Sequence, residues 1–288
     1  ENAAHLVPGT VGGSQGSGVD MLDDMVNLIR EPIRGRKPVM LAAWPGVGHV
    51  ALIVARYIQE KLKAEEIGEL KSFHFFEPTG VAVKDNVVQE PRFPGNTLYY
   101  WKNPADPRGD VLFFLGEAQP ATRAYELAHC VVDVAQKFKV KKIYTCAAAL
   151  VRMHYTEPSK VWGVATEKRL LNEFKGQDVV MRGELQIAGM NGVLLGIAKE
   201  RKMEGYCLLG EVPMYATRIP NPKAALAVTG VLSKVLGVGV NLAELREQAR
   251  EAEEEMKRLA VQAMGEFIDH FTKPIWPPPS EEEEEDEG

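Results

Sequence analysis

The feature that most constrains the fold is a repeated order of short apolar run, turn and helical stretch, which begins near Pro38. Each run is short and continuous, as expected of a strand covered by helices on both faces. Helical stretches are predicted directly after the first two runs, at 50–62 and 121–138. This alternation is typical of βα units, so we predict an α/β fold with a mixed, partly parallel sheet flanked by helices. The four runs are 39–43, 111–115, 142–147 and 206–209.

Two further regions complete the predicted domain. Residues 73–101 carry alternating apolar residues between Pro and Gly breaks, which predicts a β-hairpin insert at the edge of the main sheet. Residues 21–29 show a helical period that ends before Pro32, which predicts a short amphipathic helix packed against the domain. We therefore place one α/β domain at 21–241.

A long C-terminal amphipathic helix is predicted at 242–272. Its apolar residues follow a heptad stripe, and Glu253 with Lys257 forms an i,i+4 pair on the outer face. Three heptads suit a helix that lies on its own domain and also one that pairs with a neighbouring subunit. The stripe consists of Leu242, Leu245, Ala249, Ala252, Met256, Leu259 and Ala263.

The two ends of the chain differ in composition from the domain. Residues 1–20 hold Gly and Ser runs without Lys or Arg, and we predict a flexible leader, which an added linker would also explain. Residues 273–288 hold the run Pro277-Pro278-Pro279 and then seven acidic residues, which predicts a disordered tail. The net charge of −6 belongs to this tail, because the remainder has 34 basic and 33 acidic residues. A nearly neutral body gives no indication of nucleic-acid binding.

The cysteines and the apolar runs predict the cellular compartment of the protein. Cys130, Cys146 and Cys207 are odd in number, widely spaced and without zinc-ligand neighbours, which predicts reduced core cysteines of a cytoplasmic protein. The longest apolar stretch, 39–55, is interrupted by a Pro-Gly turn, and no secretory signal opens the chain. We expect neither a membrane span nor secretion.

The most suggestive local motif follows the first apolar run. Its pattern, Gly46-x-Gly48-x-x-Ala51, matches a loose dinucleotide fingerprint, in which glycines let the backbone approach a pyrophosphate at a helix N-terminus. The acidic partner expected about 20 residues later is not found at that distance, so a tight strand-to-helix turn explains the glycines as well. We predict no nicotinamide, flavin or other cofactor, and keep Gly46 and Gly48 as candidates for a ligand pocket.

Two apolar runs end in Gly-Glu and then turn at a proline. In open α/β sheets the carboxyl ends of the strands face the ligand crevice, so Glu117 and Glu211 are expected near one rim, with Gln119 beside the first. Two carboxylates there could divide acid and base roles or hold a cation. Each could equally accept hydrogen bonds from nearby amides and fix its turn.

The remaining candidates lie in a third glycine cluster and in a polar loop. Gly189, Asn191 and Gly192 precede a predicted helix and could cradle an anion by their backbone amides, or pack the helix closely on the sheet. His154 lies in the loop after the third apolar run, where an α/β protein often keeps a functional residue. No serine or cysteine has a nucleophile setting and no metal-binding motif occurs, so we predict no catalytic residue and no metal.

Taken in order, these motifs resemble the PAC2 family, the proteasome assembly chaperone-like proteins of archaea, bacteria and eukaryotes. The resemblance covers about 38–255 and implies a core similar to the nucleoside phosphorylase fold, in symmetric oligomers that are trimers or larger rings. Archaeal members bind proteasome α subunits in part through a C-terminal hydrophobic-Tyr-X tail, whereas this sequence ends in Asp286-Glu287-Gly288 and departs from that pattern. The segments that carry the resemblance are 44–48, 116–120, 189–196, 207–213 and 222–225.

Two functions of different classes follow. The first is a non-enzymatic, homo-oligomeric scaffold that binds proteasome subunits or another protein, and neither nucleic acid nor membrane. The alternative is a small-molecule binding protein or enzyme on a phosphorylase-like fold. It would use the glycine loops at Gly46 and Gly189 for a phosphate, and Glu117 or Glu211 for a polar group.

Overall fold

The computed structural model describes residues 22, 24–106 and 109–272, and its centre is one nine-stranded sheet. The predicted leader and acidic tail lie outside the described residues. In chain order the strands are β1 (Val26–Leu28), β2 (Val39–Ala43), β3 (Glu65–Leu70), β4 (Val83–Lys84), β5 (Val87–Val88), β6 (Asn96–Trp101), β7 (Val111–Gly116), β8 (Lys142–Val151), β9 (Val161–Ala165), β10 (Val179–Val180) and β11 (Glu204–Pro213). The main sheet has the order β1-β3-β6-β7-β2-β8-β11-β9-β10, and β4 with β5 forms a separate hairpin.

The pairing confirms the predicted mixed sheet. Strand β2 is parallel to both β7 and β8, β8 is parallel to β11, and β10 is parallel to β9. The other neighbours, β1–β3, β3–β6, β6–β7 and β9–β11, are antiparallel. The four central parallel strands therefore end at one edge of the sheet, which we call the carboxyl rim.

Helices cover both faces of the sheet, as the continuous apolar runs predict. The helices are α1 (Val50–Leu62), α2 (Ala124–Lys137), α3 (Met190–Glu200), α4 (Pro222–Leu236) and α5 (Ala243–Thr272). Along β2, Leu41 packs with α1 and α4, whereas Met40 packs with α2 and α3, which follows the two-residue period of a strand.

The structure corrects three predictions. The helix predicted at 21–29 is wrong over Val26–Leu28, which is strand β1 and pairs with β3. An open sheet edge offers this short segment backbone hydrogen bonds that so few residues could not secure as an isolated helix. The insert does contain the hairpin β4–β5, but β6 lies inside the sheet between β3 and β7. Strands β8 and β11 extend beyond their predicted ends, because they pair in register as far as Val151 and Pro213.

Helix α5 lies on the domain over only part of its length. Leu245, Ala249 and Met256 are buried, whereas Val261 and Met264 are 67% and 61% exposed. The Met256 sulfur lies 3.9 Å from Nδ2 of Asn221, which precedes α4, so α5 reaches the carboxyl rim at this point. With a rise of 1.5 Å per residue, residues 257–272 extend the helix by about 24 Å beyond it. We call residues 257–272 the α5 extension.

The three cysteines are buried and unpaired, as predicted. Burial raises the pKa of Cys130 and of Cys207 to about 12, and it raises the pKa of Cys146 well above its ordinary value. At pH 8 we therefore expect iodoacetamide to modify none of the thiols in the native protein and all three in denaturant, which mass spectrometry would count.

The same shifts give a dependence of stability on pH. An unfolded thiol has a pKa of about 8.5, so the folded state holds these protons more tightly. The three buried thiols make their full contribution to the free energy of unfolding below about pH 8.5. This contribution is lost as the pH rises towards the pKa values of the thiols in the folded protein. Two results would contradict the burial of the thiols. One is their modification by iodoacetamide in the native protein at pH 8, and the other is a free energy of unfolding that does not change as the pH rises above about 8.5.

Candidate functional site

A cleft of about 460 Å³ opens at the carboxyl rim between the ends of β2 and β8. The chain leaves β2 towards the β3–β7 side of the sheet and leaves β8 towards the β11–β9 side. Neighbouring strands whose connections diverge in this way leave a crevice, which is where open α/β sheets bind ligands. The lining comes from residues 46–47, 51, 147–151, 162, 184–188, 191 and 209.

Asn191 holds the two sides of this cleft together. Pairing between β2 and β8 ends at Ala42 and Thr145, and the chain then turns away at Trp44. The buried carboxamide of Asn191 then forms the hydrogen bonds to the backbone that a neighbouring strand would form. Its Oδ1 accepts from the Trp44 backbone N–H at 3.2 Å, and its Nδ2 donates to the Trp44 carbonyl at 3.4 Å. The start of α3 is therefore fixed to the end of β2 by a side chain that replaces a neighbouring strand.

Gln119 joins three of the motifs found in the sequence. Its Nε2 donates to the Pro45 carbonyl, and its Oε1 accepts from the Met190 backbone N–H at 2.9 Å. Gly189 has a positive φ of 73°, and a Cβ there would clash with the Gln119 amide. Gln119 therefore ties the turn after β2 to the first residue of α3, and Gly189 makes room for it.

The other glycines serve close packing. Gly48 has a φ of 61°, and its carbonyl accepts from the Asn221 backbone N–H at 2.8 Å. A Cβ at Gly48 would lie 3.0 Å from the Asn221 Cβ, so the close approach it allows is to the start of α4. A Cβ at Gly192 would overlap the carbonyl oxygen of Ile187. Of the predicted glycines, Gly46 alone lines the cleft.

The two glutamates do not meet. Strands β7 and β11 are separated by β2 and β8, which puts about 14 Å between them at the usual strand spacing. Glu117 accepts a hydrogen bond from the Gly95 backbone N–H at 2.8 Å. Glu211 accepts from Nε1 of Trp162 at 2.9 Å, and Trp162 lines the cleft. Both carboxylates therefore hold neighbouring groups in place, which is the structural alternative given above.

His154 lies away from these residues, in the exposed loop after β8. Its ring Nδ1 is 2.7 Å from the Thr156 hydroxyl, and its backbone N–H donates to Glu157 at 2.7 Å. These contacts shape the loop locally. Of the nine candidates, only Gly46 and Asn191 line the cleft, while Gly189, Gly192 and Gln119 position its border.

Most residues of the cleft wall were not predicted from the sequence. Ala147, Ala148 and Ala149 line it together with Leu150 and Val151, all from the end of β8. A run of three alanines at a strand end was the available signal, because small side chains leave space beside the backbone. Across the residues described, no group of three potential metal ligands gathers, and no helix has the length and apolar content to cross a bilayer.

Comparisons with known proteins agree with the fold described above. The model of the PAC2 family matches residues 40–260. The chain is similar to Pyrococcus furiosus PbaB, an archaeal proteasome activator, with 30% identity and a TM-score of 0.70 over 82% of this chain and 98% of that one. It is similar to P. furiosus PbaA, an archaeal homolog of proteasome-assembly chaperone, with 25% identity and a TM-score of 0.62 over 82% of this chain and 97% of that one. An uncharacterized Methanocaldococcus jannaschii protein is 27% identical over 82% of this chain and 89% of its own length.

Proposed function

This chain belongs to the PAC2 family, and from that premise we propose that it is a non-enzymatic, homo-oligomeric scaffold that binds subunits of the proteasome. The observation that carries the proposal is the likeness to an archaeal proteasome activator, which extends over nearly the whole of that chain. The non-enzymatic part of the proposal is also supported by the hydrogen bonds that the candidate residues make. Gln119, Asn191 and the two glutamates already hold backbone and indole groups of their own chain.

The α5 extension supplies a surface suited to a protein partner. It carries the exposed apolar side chains of Val261 and Met264, three residues apart and so on neighbouring positions of the helix surface. A helix with exposed apolar side chains fits a groove on another protein, where burying them contributes binding energy. We propose that this helix contacts the proteasome subunits.

Charged substitutions on the extension are expected to weaken proteasome binding. We expect the double variant Val261→Lys/Met264→Lys to raise the Kd for proteasome α subunits at least tenfold, about 1.4 kcal/mol, because two apolar contacts would be replaced by buried charges. Surface plasmon resonance with immobilised α subunits would measure it. The matched control is Ile29→Lys/Tyr125→Lys, which places the same charges on exposed side chains elsewhere.

Two results would count against this proposal. One is the absence of binding by the unsubstituted protein to α subunits and to whole proteasome core particles. The other is equal weakening by the test and control pairs, with circular dichroism showing that all variants are folded. The second result would mean that the contact surface lies outside the α5 extension.

A second candidate function is small-molecule binding in the cleft, favoured by its volume and by its place at diverging strand connections. The expected ligands are nucleosides, nucleotides or phosphate. A ligand at about 100 times its Kd should stabilise the fold by roughly 2.7 kcal/mol. No change in the thermal unfolding temperature across such a panel would exclude this function.

A further inference from the structure

The hairpin β4–β5 forms an arm that contacts little of its own domain. All residues from 77 to 93 are exposed, and we call this segment the hairpin arm. Its turn residues, Asp85 and Asn86, have φ values of 51° and 61°, as a type I′ hairpin turn requires. The arm is thus a formed hairpin held away from the core.

One face of the arm is apolar and uncovered. Val83 pairs with Val88, and Val81 lies two residues before Val83, so the three side chains share a face. Their exposed fractions are between 50% and 65%. A two-stranded hairpin alone is marginally stable in water, and contact with a partner would therefore stabilise this one. Within the described chain, β4 pairs only with β5, which leaves its other edge free.

The cleft contains a matching open edge. On its β11 side, strand β8 is paired as far as Val151, but on its β2 side pairing stops at Thr145. Over the described residues, 146–151 therefore has no strand partner on the β2 side. An open edge presents a row of backbone N–H and C=O groups that another strand can satisfy. Beside it, the three alanines leave space for added side chains, and Trp162 and Leu209 provide an apolar wall.

We propose that the hairpin arm of one copy adds as a strand to the open edge of β8 in a second copy, with Val81 and Val83 in the cleft. This inference rests on the homo-oligomer part of the proposed function. It predicts a closed pair of copies at this contact, alone or as the unit of a larger assembly. A peptide of another protein and a small molecule are the alternative occupants of the cleft.

Three observations favour a second copy as the occupant. The arm leads into β6 at Asn96, which pairs with Gly116 at the end of β7, so arm and cleft lie at the same carboxyl rim. Two copies facing each other across a two-fold axis would satisfy both arms and both clefts at once. The 17 residues of the arm and the 16 lining residues give 33 per copy, enough for a stable interface of about 20–30 residues a side.

Cross-linking between copies tests the contact directly. Chains with Val81→Cys or Val83→Cys are mixed with chains carrying Ala147→Cys or Ala149→Cys, and a short bis-maleimide is added. The native cysteines are buried and do not compete. We expect a mixed cross-linked pair from at least one combination, and none when Val261→Cys replaces the arm variant. No mixed product, or an arm variant that links only to itself, would overturn the inference.

Self-association provides an independent measurement on the intact chain. We expect Val83→Lys/Val88→Lys to raise the self-association Kd at least 100-fold in sedimentation equilibrium, while Ile29→Lys/Tyr125→Lys leaves it unchanged. An unchanged oligomer in the arm variant would overturn the arm contact and leave the proposed homo-oligomer standing. A chain that stays monomeric at all concentrations would overturn both the inference and the homo-oligomer, whereas proteasome binding is measured separately.

Discussion

Replacing Asn191 with alanine is expected to lower the free energy of unfolding by about 2–4 kcal/mol. The side chain is 3% exposed and makes two hydrogen bonds to the Trp44 backbone. Its removal would leave a buried N–H and a buried C=O without partners, each of which carries a desolvation cost. It would also remove one of the side-chain links between the start of α3 and the end of β2, and so loosen the wall of the cleft.

Urea denaturation of the variant and of the unsubstituted protein measures this effect. The matched control is Asn172→Ala, because Asn172 is exposed. We expect the control to change stability by less than about 0.5 kcal/mol. If both variants lost the same small amount, the Asn191 carboxamide would not be the link between β2 and α3.

Replacing Gly192 with alanine is expected to destabilise the protein by about 3 kcal/mol. The added Cβ would overlap the Ile187 carbonyl oxygen, and this atom belongs to the backbone. Relief of the overlap would therefore move α3 or the 184–188 segment, which forms one side of the cleft.

Gly196 offers a control on the same helix. A Cβ there would meet no atom within 4 Å, and alanine favours the helix over glycine by up to about 1 kcal/mol. Thermal unfolding should then show opposite effects, with Gly192→Ala lowering the Tm and Gly196→Ala raising it. Stabilisation by both substitutions would contradict the close packing at Gly192.

The sequence predicted the elements whose physical signal is local. Strand β2 and helix α1 match their predicted bounds, because a continuous apolar run and a helical period are read within a few residues. Strand β3 was not predicted, since three of its six residues are glutamates and one is a glycine, and it forms by pairing with β6 and β1. Partners distant in sequence decide such elements.

The candidate site likewise has features that a local sequence signal predicts and features that depend on partners distant in sequence. The sequence identified residues at the carboxyl rim, because strand ends followed by glycine or glutamate are visible in a single chain. It could not show that Glu117 turns to Gly95, or that Glu211 turns to Trp162, since these partners come from other strands or loops. The open edge of β8 was hidden for the same reason: it exists only because β2 leaves the sheet after Ala43.

Amide hydrogen exchange with and without proteasome core particles tests the central proposal most directly. Exchange reports which backbone segments a partner covers or orders. If the protein is a proteasome-binding scaffold that uses the α5 extension, adding core particles should slow exchange within 257–272 and leave the edge strand β10 unchanged. Identical exchange throughout the chain, with core particles in large molar excess over the protein, would contradict the proposed function.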